Sequence, residues 1–349
     1  MSATPIIRSR RIKVWWEPTY APGLHNTLTR GSWQLRDNAA DQRLFTPNDF
    51  RSQVGQRPSK GHFNGARFTW CDFSGKFNTA AGSSFTNCEF EGCDFGTSTW
   101  HNVKFTKCKF LKCSFSQSTW IESEFRACHW EEIGISGNET SLQNVYISNP
   151  ADFVAAAYTN LDRPFLATKN ATPEFQAYRL EETKATVSRN IFNNHKTVGD
   201  DATFYVAFSN YAKQYSKWLA VSAKWEFGRA KGFGKVLAAF KYGSALAEGW
   251  VNVLFGHITK WGSSALRPLA HLLSSFIAFT VIYRLFYLNS FADSMMVAFD
   301  ITSIAGFTRS VTKDTTGSLY TVCACNLVVA IMFYSAFFSV AINKISRVR

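Results

Sequence analysis

Residues 83–130 read SSFTNCEFEGCDFGTSTWHNVKFTKCKFLKCSFSQSTWIESEFRACHW. A large aromatic returns at every fifth position: Phe85, Phe90, Phe95, Trp100, Phe105, Phe110, Phe115, Trp120, Phe125 and Trp130. Ile135 and Val145 keep the phase, and Phe63, Phe68 and Phe73 show the same period before a break over 78–84. Two positions ahead of each aromatic stands a small residue: Ser83, Cys88, Cys93, Ser98, Val103, Cys108, Cys113, Ser118, Ser123 and Cys128, with Ala66 and Cys71 earlier. Neither an α-helix, with its period of 3.6, nor a strand, with its period of 2, produces a period of five. Five residues per step suit a chain that turns a corner at each unit. The large residue then fills the interior, and the small one sits where backbones come close.

This pattern resembles the pentapeptide-repeat family, whose units stack as a right-handed quadrilateral β-helix. Phe and Trp stand here where that family often has Leu. Roughly 17 units imply about four coils, a stack about 20 Å tall at the ~4.8 Å strand spacing. Six of the eight cysteines occupy the small position (Cys71, Cys88, Cys93, Cys108, Cys113 and Cys128). None has CxxC spacing, so core packing is expected rather than a metal site.

The chain has 349 residues and a net charge of +13. With 46% hydrophobic and 18% charged residues it is neither disordered nor coiled coil. The basic excess lies outside the repeat. Residues 61–147 carry seven basic and nine acidic side chains, whereas 148–265 carry fourteen and nine. No apolar stretch of signal-peptide type follows the basic N-terminus, so the first 265 residues are expected in the cytoplasm.

Residues 173–229 predict a pair of amphipathic helices. Pro173 and Glu174 suit a first turn, Asn193 and Asn194 an end, and Asp200 or Asp201 a cap. Phe204, Phe208, Tyr211, Tyr215 and Trp218 form one apolar face of the second helix. Lys213, Lys217, Lys224, Arg229, Lys231, Lys235 and Lys241 follow with one acid, Glu226, and are interleaved with aromatics. Such a segment suits an anionic membrane surface. A solvated face over core aromatics accounts for it equally well.

The C-terminus is apolar. Residues 268–288 hold one charge, Arg284, and 318–343 hold none. Each is long enough to cross a bilayer as helix. Arg267 precedes the first, and Lys344, Arg347 and Arg349 follow the second. Basic flanks on both sides place both termini in the cytoplasm, as in a bacterial inner-membrane protein. Between the spans, 291–302 predicts a short helix and Ser303–Arg309 a loop. This layout resembles the pore unit of the two-transmembrane potassium-channel family, whose filter motif is TTVGYGD. Aligned on it, Ser303 and Ile304 take the two Thr positions, Ala305 the Val, Gly306 the first Gly and Phe307 the Tyr. Thr308 stands at the second Gly and Arg309 at the Asp. The resemblance implies a homotetramer passing an ion through a re-entrant loop with altered selectivity. Asn326, Ser335, Ser339 and Asn343 are expected to line the water-filled path. The Gly-rich turn and Arg267-Pro268 ahead of the first span resemble bacterial proteins that join such repeats to such a pore.

The expected architecture is therefore a multi-domain β plus α membrane protein. Its parts are a basic segment (1–60), a pentapeptide-repeat β-helix (61–148), a helical juxtamembrane linker (149–262) and a pore domain of two transmembrane helices with a re-entrant loop (263–349). No nucleophile elbow, HExxH or phosphate loop is present, so no enzyme, cofactor or metal is expected. The expected partners are further copies of the chain, lipid, the permeating ion, and a cytoplasmic ligand or protein on the repeat, but not nucleic acid. The alternatives are a non-conducting membrane-tethered scaffold and a pore-forming effector of bacterial defence.

Overall fold

The computed structural model describes residues 32–35, 62–69, 82–93, 95, 99–135, 140–157, 172–198, 200–304 and 317–348. It divides into two compact units, Met1–Gly249 and Trp250–Arg349.

The first unit holds a β-solenoid of about three turns. Three-residue parallel strands stack in register. One sheet runs β2 (His62–Asn64), β4 (Ser84–Thr86), β7 (Lys104–Thr106), β10 (Glu124–Arg126) and β13 (Tyr146–Ile147). Another runs β3 (Ala66–Thr69), β5 (Glu89–Glu91), β8 (Lys109–Leu111) and β11 (His129–Glu131); a third joins β6 (Thr99–His101), β9 (Thr119–Ile121) and β12 (Ser141–Gln143). Phe85 pairs with Phe105 and Phe105 with Phe125, so one turn spends four five-residue steps.

The predicted core residues Phe90, Phe95, Trp100, Phe105, Phe110, Phe115, Trp120 and Phe125 are all buried. Their rings form four columns through the coils. Phe85–Phe105 stack at 4.8 Å, Phe90–Phe110 at 4.9 Å, Phe95–Phe115 at 5.1 Å and Trp100–Trp120 at 5.2 Å. Each buried ring contributes about 2–3 kcal/mol from desolvation. At the small position, Cys108 donates its thiol to the Phe85 carbonyl, Cys113 to Phe90 and Cys128 to Phe105. A weak donor suits this place because it meets a carbonyl one coil away. Hydrogen bonding with Cys128 and burial push the Cys108 thiol up to about 12, so it stays protonated.

The corner residue was not legible in the sequence. Asn87, Asn102, Lys107, Lys112, Gln117, Glu122, Ala127 and Glu132 all have positive φ near 50°, as does Gly92 at 63°. Each lies two residues beyond a large core position. The left-handed residue turns the chain, at a cost of roughly 1 kcal/mol for each non-glycine.

Two expectations are corrected at the ends of the repeat. Val145 does not continue the aromatic phase. Phe125 pairs with Ile147 and Trp120 with Leu142, a spacing of 22 rather than 20. Val145 and Thr140 are buried in the small position instead, and the Thr140 hydroxyl donates to the Phe115 carbonyl at 3.0 Å. The same two-residue excess separates Phe63 from Phe85. About four coils were expected, and the described residues hold a solenoid of about three turns. Cys71 and Phe73 lie outside the described residues.

Each end of the solenoid carries a partial cover. β1 (Ser32–Leu35) pairs antiparallel with β3. At the other end, α1 (Pro150–Ala155) lays Phe153 on Trp130 at 4.8 Å. α2 (Pro173–His195) and α3 (Asp201–Arg229) form the predicted hairpin, with Asp200 as the α3 cap accepting from the Thr203 amide at 2.8 Å. The end of α2 supplies bonds that a further coil would have made. The Asn194 amide donates to the Leu142 carbonyl and accepts from the Asn144 N–H, both at 3.0 Å. His195 Nε2 accepts from the Ile147 N–H at 3.4 Å.

Candidate functional site

α4 (Phe233–Thr259) crosses the division between the units. It ends in a turn through Lys260, Trp261 and Gly262, all with positive φ. A Cβ at Gly256 would overlap the Trp261 indole, so a glycine is required there. The chain then enters three packed helices, α5 (Leu266–Phe286), α6 (Phe291–Thr302) and α7 (Gly317–Val348), each touching the other two.

α5 and the first 30 residues of α7 are long and apolar enough to cross a membrane, with mean hydropathy 1.6 and 2.1. Only 17% and 22% of their most apolar windows are buried within the chain. Core helices of a water-soluble protein would be largely covered, whereas Leu285, Phe286, Val328 and Ile342 stand exposed.

The inside of this unit mixes an apolar cluster of Tyr283, Ala298, Ile301 and Cys323 with buried polar side chains. Ser290 caps α6, and the Ser294 hydroxyl returns to the Ser290 carbonyl at 2.8 Å. The buried face of α6 is Ser294, Ala298, Ile301 and Thr302. Thr302 donates to Asn326 Oδ1 at 3.2 Å, and Asn326 Nδ2 donates to the Tyr283 hydroxyl at 3.3 Å. One polar chain thus ties all three helices. On an apolar face such bonds hold helices where packing alone gives little discrimination.

Asn326 therefore does not share the exposed polar face predicted for it. It is fully buried, while Ser335, Ser339 and Asn343 are exposed. The reason is periodicity: nine residues separate Asn326 from Ser335, two and a half helical turns, which puts them on opposite sides. Ser335, Ser339 and Asn343, spaced by four, do share a face, and the Ser335 hydroxyl bonds back to the Ile331 carbonyl. Arg284 at the end of α5 reaches the Leu288 carbonyl at 3.4 Å, a C-terminal capping contact.

Of the predicted loop, Ser303 and Ile304 are described; Ala305, Gly306, Phe307, Thr308 and Arg309 lie outside the described residues. Ser303 donates its hydroxyl to the Asp300 carbonyl at 3.1 Å. Ile304 has φ of 66°. A β-branched residue in the left-handed region is a real outlier, costing about 1–2 kcal/mol. Sequence reading assigned the special backbone position to Gly306; Ile304 was missed because nothing in its chemistry marks it.

All seven predicted basic residues are exposed: Lys213, Lys217, Lys224 and Arg229 on α3, Lys231 in the following turn, and Lys235 and Lys241 on α4. Lys217 pairs with Glu181 at 2.7 Å and Lys241 with Glu226 at 3.0 Å.

The first unit carries a separate cleft of about 560 Å³ beside the last coils, lined by Glu122, Glu124, Arg126, Asn144, Tyr146, Thr197, Val198 and Asp200. The Arg126 guanidinium lies over the Tyr146 ring and bonds Glu124 at 2.7 Å. Among the described residues no group of three His, Cys, Asp or Glu side chains is placed to hold a metal ion. Compared with known proteins, the chain matches no protein-family model and no curated protein.

Proposed function

We propose that the chain is one subunit of a tetrameric membrane pore of the two-transmembrane channel type, gated or assembled through a cytoplasmic pentapeptide-repeat domain. α5 and α7 are the transmembrane helices, α6 is the re-entrant helix, and Ser303–Arg309 is the loop that meets the ion. The observation that carries this reading is α6 itself: a twelve-residue helix packed against both long apolar helices. A single such loop encloses nothing, so four copies about an axis form the path, with Ser335, Ser339 and Asn343 facing it. The basic residues at both span ends put both termini inside. Four five-residue steps per turn support a quadrilateral repeat domain.

A selective filter replaces an ion's water shell with backbone carbonyls. Thr308 and Arg309 stand where the related motif has Gly and Asp, so the pore passes cations with little preference for K⁺ over Na⁺. The test is ion flux from liposomes holding the purified protein, with Gly306→Asp as the control. Flux of both cations that the variant abolishes supports the pore. Strong K⁺ preference overturns the selectivity assignment. No flux from an inserted tetramer, even after removal of residues 1–260, overturns conduction and leaves a tethered scaffold.

A further inference from the structure

α3 ends at Arg229, and Gly232, at φ of 55°, turns the chain into α4. The two sides of α4 differ sharply. Ala238 and Ala245 are buried, with Tyr242 and Gly249 half-buried on the same side. These four recur at intervals of three and four, one inward stripe of mostly small residues. Phe233, Val236, Leu237 and Phe240, also at helical spacing, face the other way. Phe233 is 86% exposed and Phe240 81%. Two phenylalanines and two aliphatics so uncovered on one face are far beyond scattered surface apolars. Yet α4 is not itself a candidate membrane span.

The charges around this face are mainly basic. From Arg229 to Ala247 there are four basic residues and no acidic one, with Glu226 and Glu248 just outside. Lys241 lies beside the apolar stripe and pairs with Glu226 at 3.0 Å, while Lys235 lies on the side toward α3, its Nζ 5.4 Å from the Phe227 ring. Six residues beyond the end of α4, the chain enters the apolar helix α5. An apolar strip bordered by lysines, close in sequence to a membrane span, matches the chemistry of an anionic bilayer surface. A second copy of this chain would bring the same basic border against itself.

We infer that Phe233, Val236, Leu237 and Phe240 insert at the headgroup boundary of an anionic membrane, with Lys231 and Lys241 at its phosphates. The inference rests on the reading of α5 and α7 as membrane-spanning. It moves the membrane contact from the length of Lys213–Lys241 to the first half of α4. Lys213, Lys217 and Lys224 sit on α3.

The test uses the full chain in nanodiscs of mixed zwitterionic and anionic lipid. Cys325 is replaced by Ser, and a nitroxide is placed in turn at 233, 235, 237, 240 and, as reference, 277 in α5. Collision rates with oxygen and with a water-soluble nickel chelate are compared. The expected result is an oxygen-to-nickel ratio at 233, 237 and 240 roughly threefold above that at 235, falling toward it in purely zwitterionic lipid. Water-like ratios at 237 and 240 with a lipid-like ratio at 277 overturn the inference and leave the spans standing. Exclusion of both reagents at 240 also overturns it and indicates a protein contact, such as a second copy. A water-like ratio at 277 overturns the membrane-spanning reading as well.

Discussion

The solenoid and the three-helix unit differ most in what they leave uncovered. In the solenoid, Phe105, Phe110 and Trp120 are wholly buried while Lys104, Lys109 and Glu131 face outward. In the helical unit, Asn326, Ser294 and Tyr283 are wholly buried while Leu285 and Phe286 face outward. Both units bury apolar side chains, Ala298 and Ile301 among them in the helical unit, but only the helical unit also leaves large apolar side chains outward along its long helices. The comparison teaches where to look for stability. The solenoid draws on apolar area and ring contact. The helical unit adds a few polar bonds to a smaller apolar cluster.

Four experiments would break or sharpen that contrast. The largest effect is expected from Phe105→Ala, which empties the middle of a column between Phe85 and Phe125. It should cost about 3–5 kcal/mol in denaturant unfolding of the solenoid, whereas Leu285→Ala should cost under ~0.5 kcal/mol. Equal losses would erase the contrast.

Asn326→Leu reverses the logic: a larger apolar surface in the helical core should still destabilise it. The expected loss is about 1–2 kcal/mol in bicelles, because Thr302 and Tyr283 lose their shared partner. A gain would mean that the polar chain is dispensable.

Smaller again is the response of the hairpin to acid. Burial lowers the His195 pKa, and acceptance of the Ile147 N–H requires a neutral Nε2. The unfolded chain takes up its proton near pH 6.5. Below that pH the unfolded state binds more protons than the folded one, so stability falls as pH drops. The melting temperature of the wild type should decline between about pH 7 and pH 5 more steeply than that of His195→Gln. Parallel curves would remove the histidine from the account.

The smallest effects concern the left-handed residues, one from each unit. Lys107→Gly should add about 0.5–1 kcal/mol to the solenoid. Ile304→Gly should add about 1 kcal/mol to the helical unit, since the β-branched residue is worse placed. Destabilisation at Ile304 would show that its side chain is held by contacts worth more than the strain.

Much of this arrangement was readable in advance, and particular residues show why the rest was not. The pentad declared itself because every large residue and every small one repeat the same chemistry. The corner did not, because Asn, Lys, Gln, Glu, Ala and Gly all serve there and share only a dihedral angle. Val145 fell on the extrapolated phase by coincidence once two extra residues had entered the chain. The apolar spans were visible from composition, and so was the short helix before the loop. Asn326 was misplaced because polar spacing was read as a face without asking which side nine residues reach. The cover over the last coil was invisible, because Asn194 and His195 meet Leu142, Asn144 and Ile147 only after the hairpin has folded.

The ring columns have an optical consequence. Trp100 and Trp120 lie 5.2 Å apart with planes 9° from parallel. Two indoles held so close couple their electronic transitions, so their shared absorption differs from that of two separated tryptophans. The coil stack therefore carries its own chromophore pair, and loss of that coupling reports separation of two specific turns without any added label.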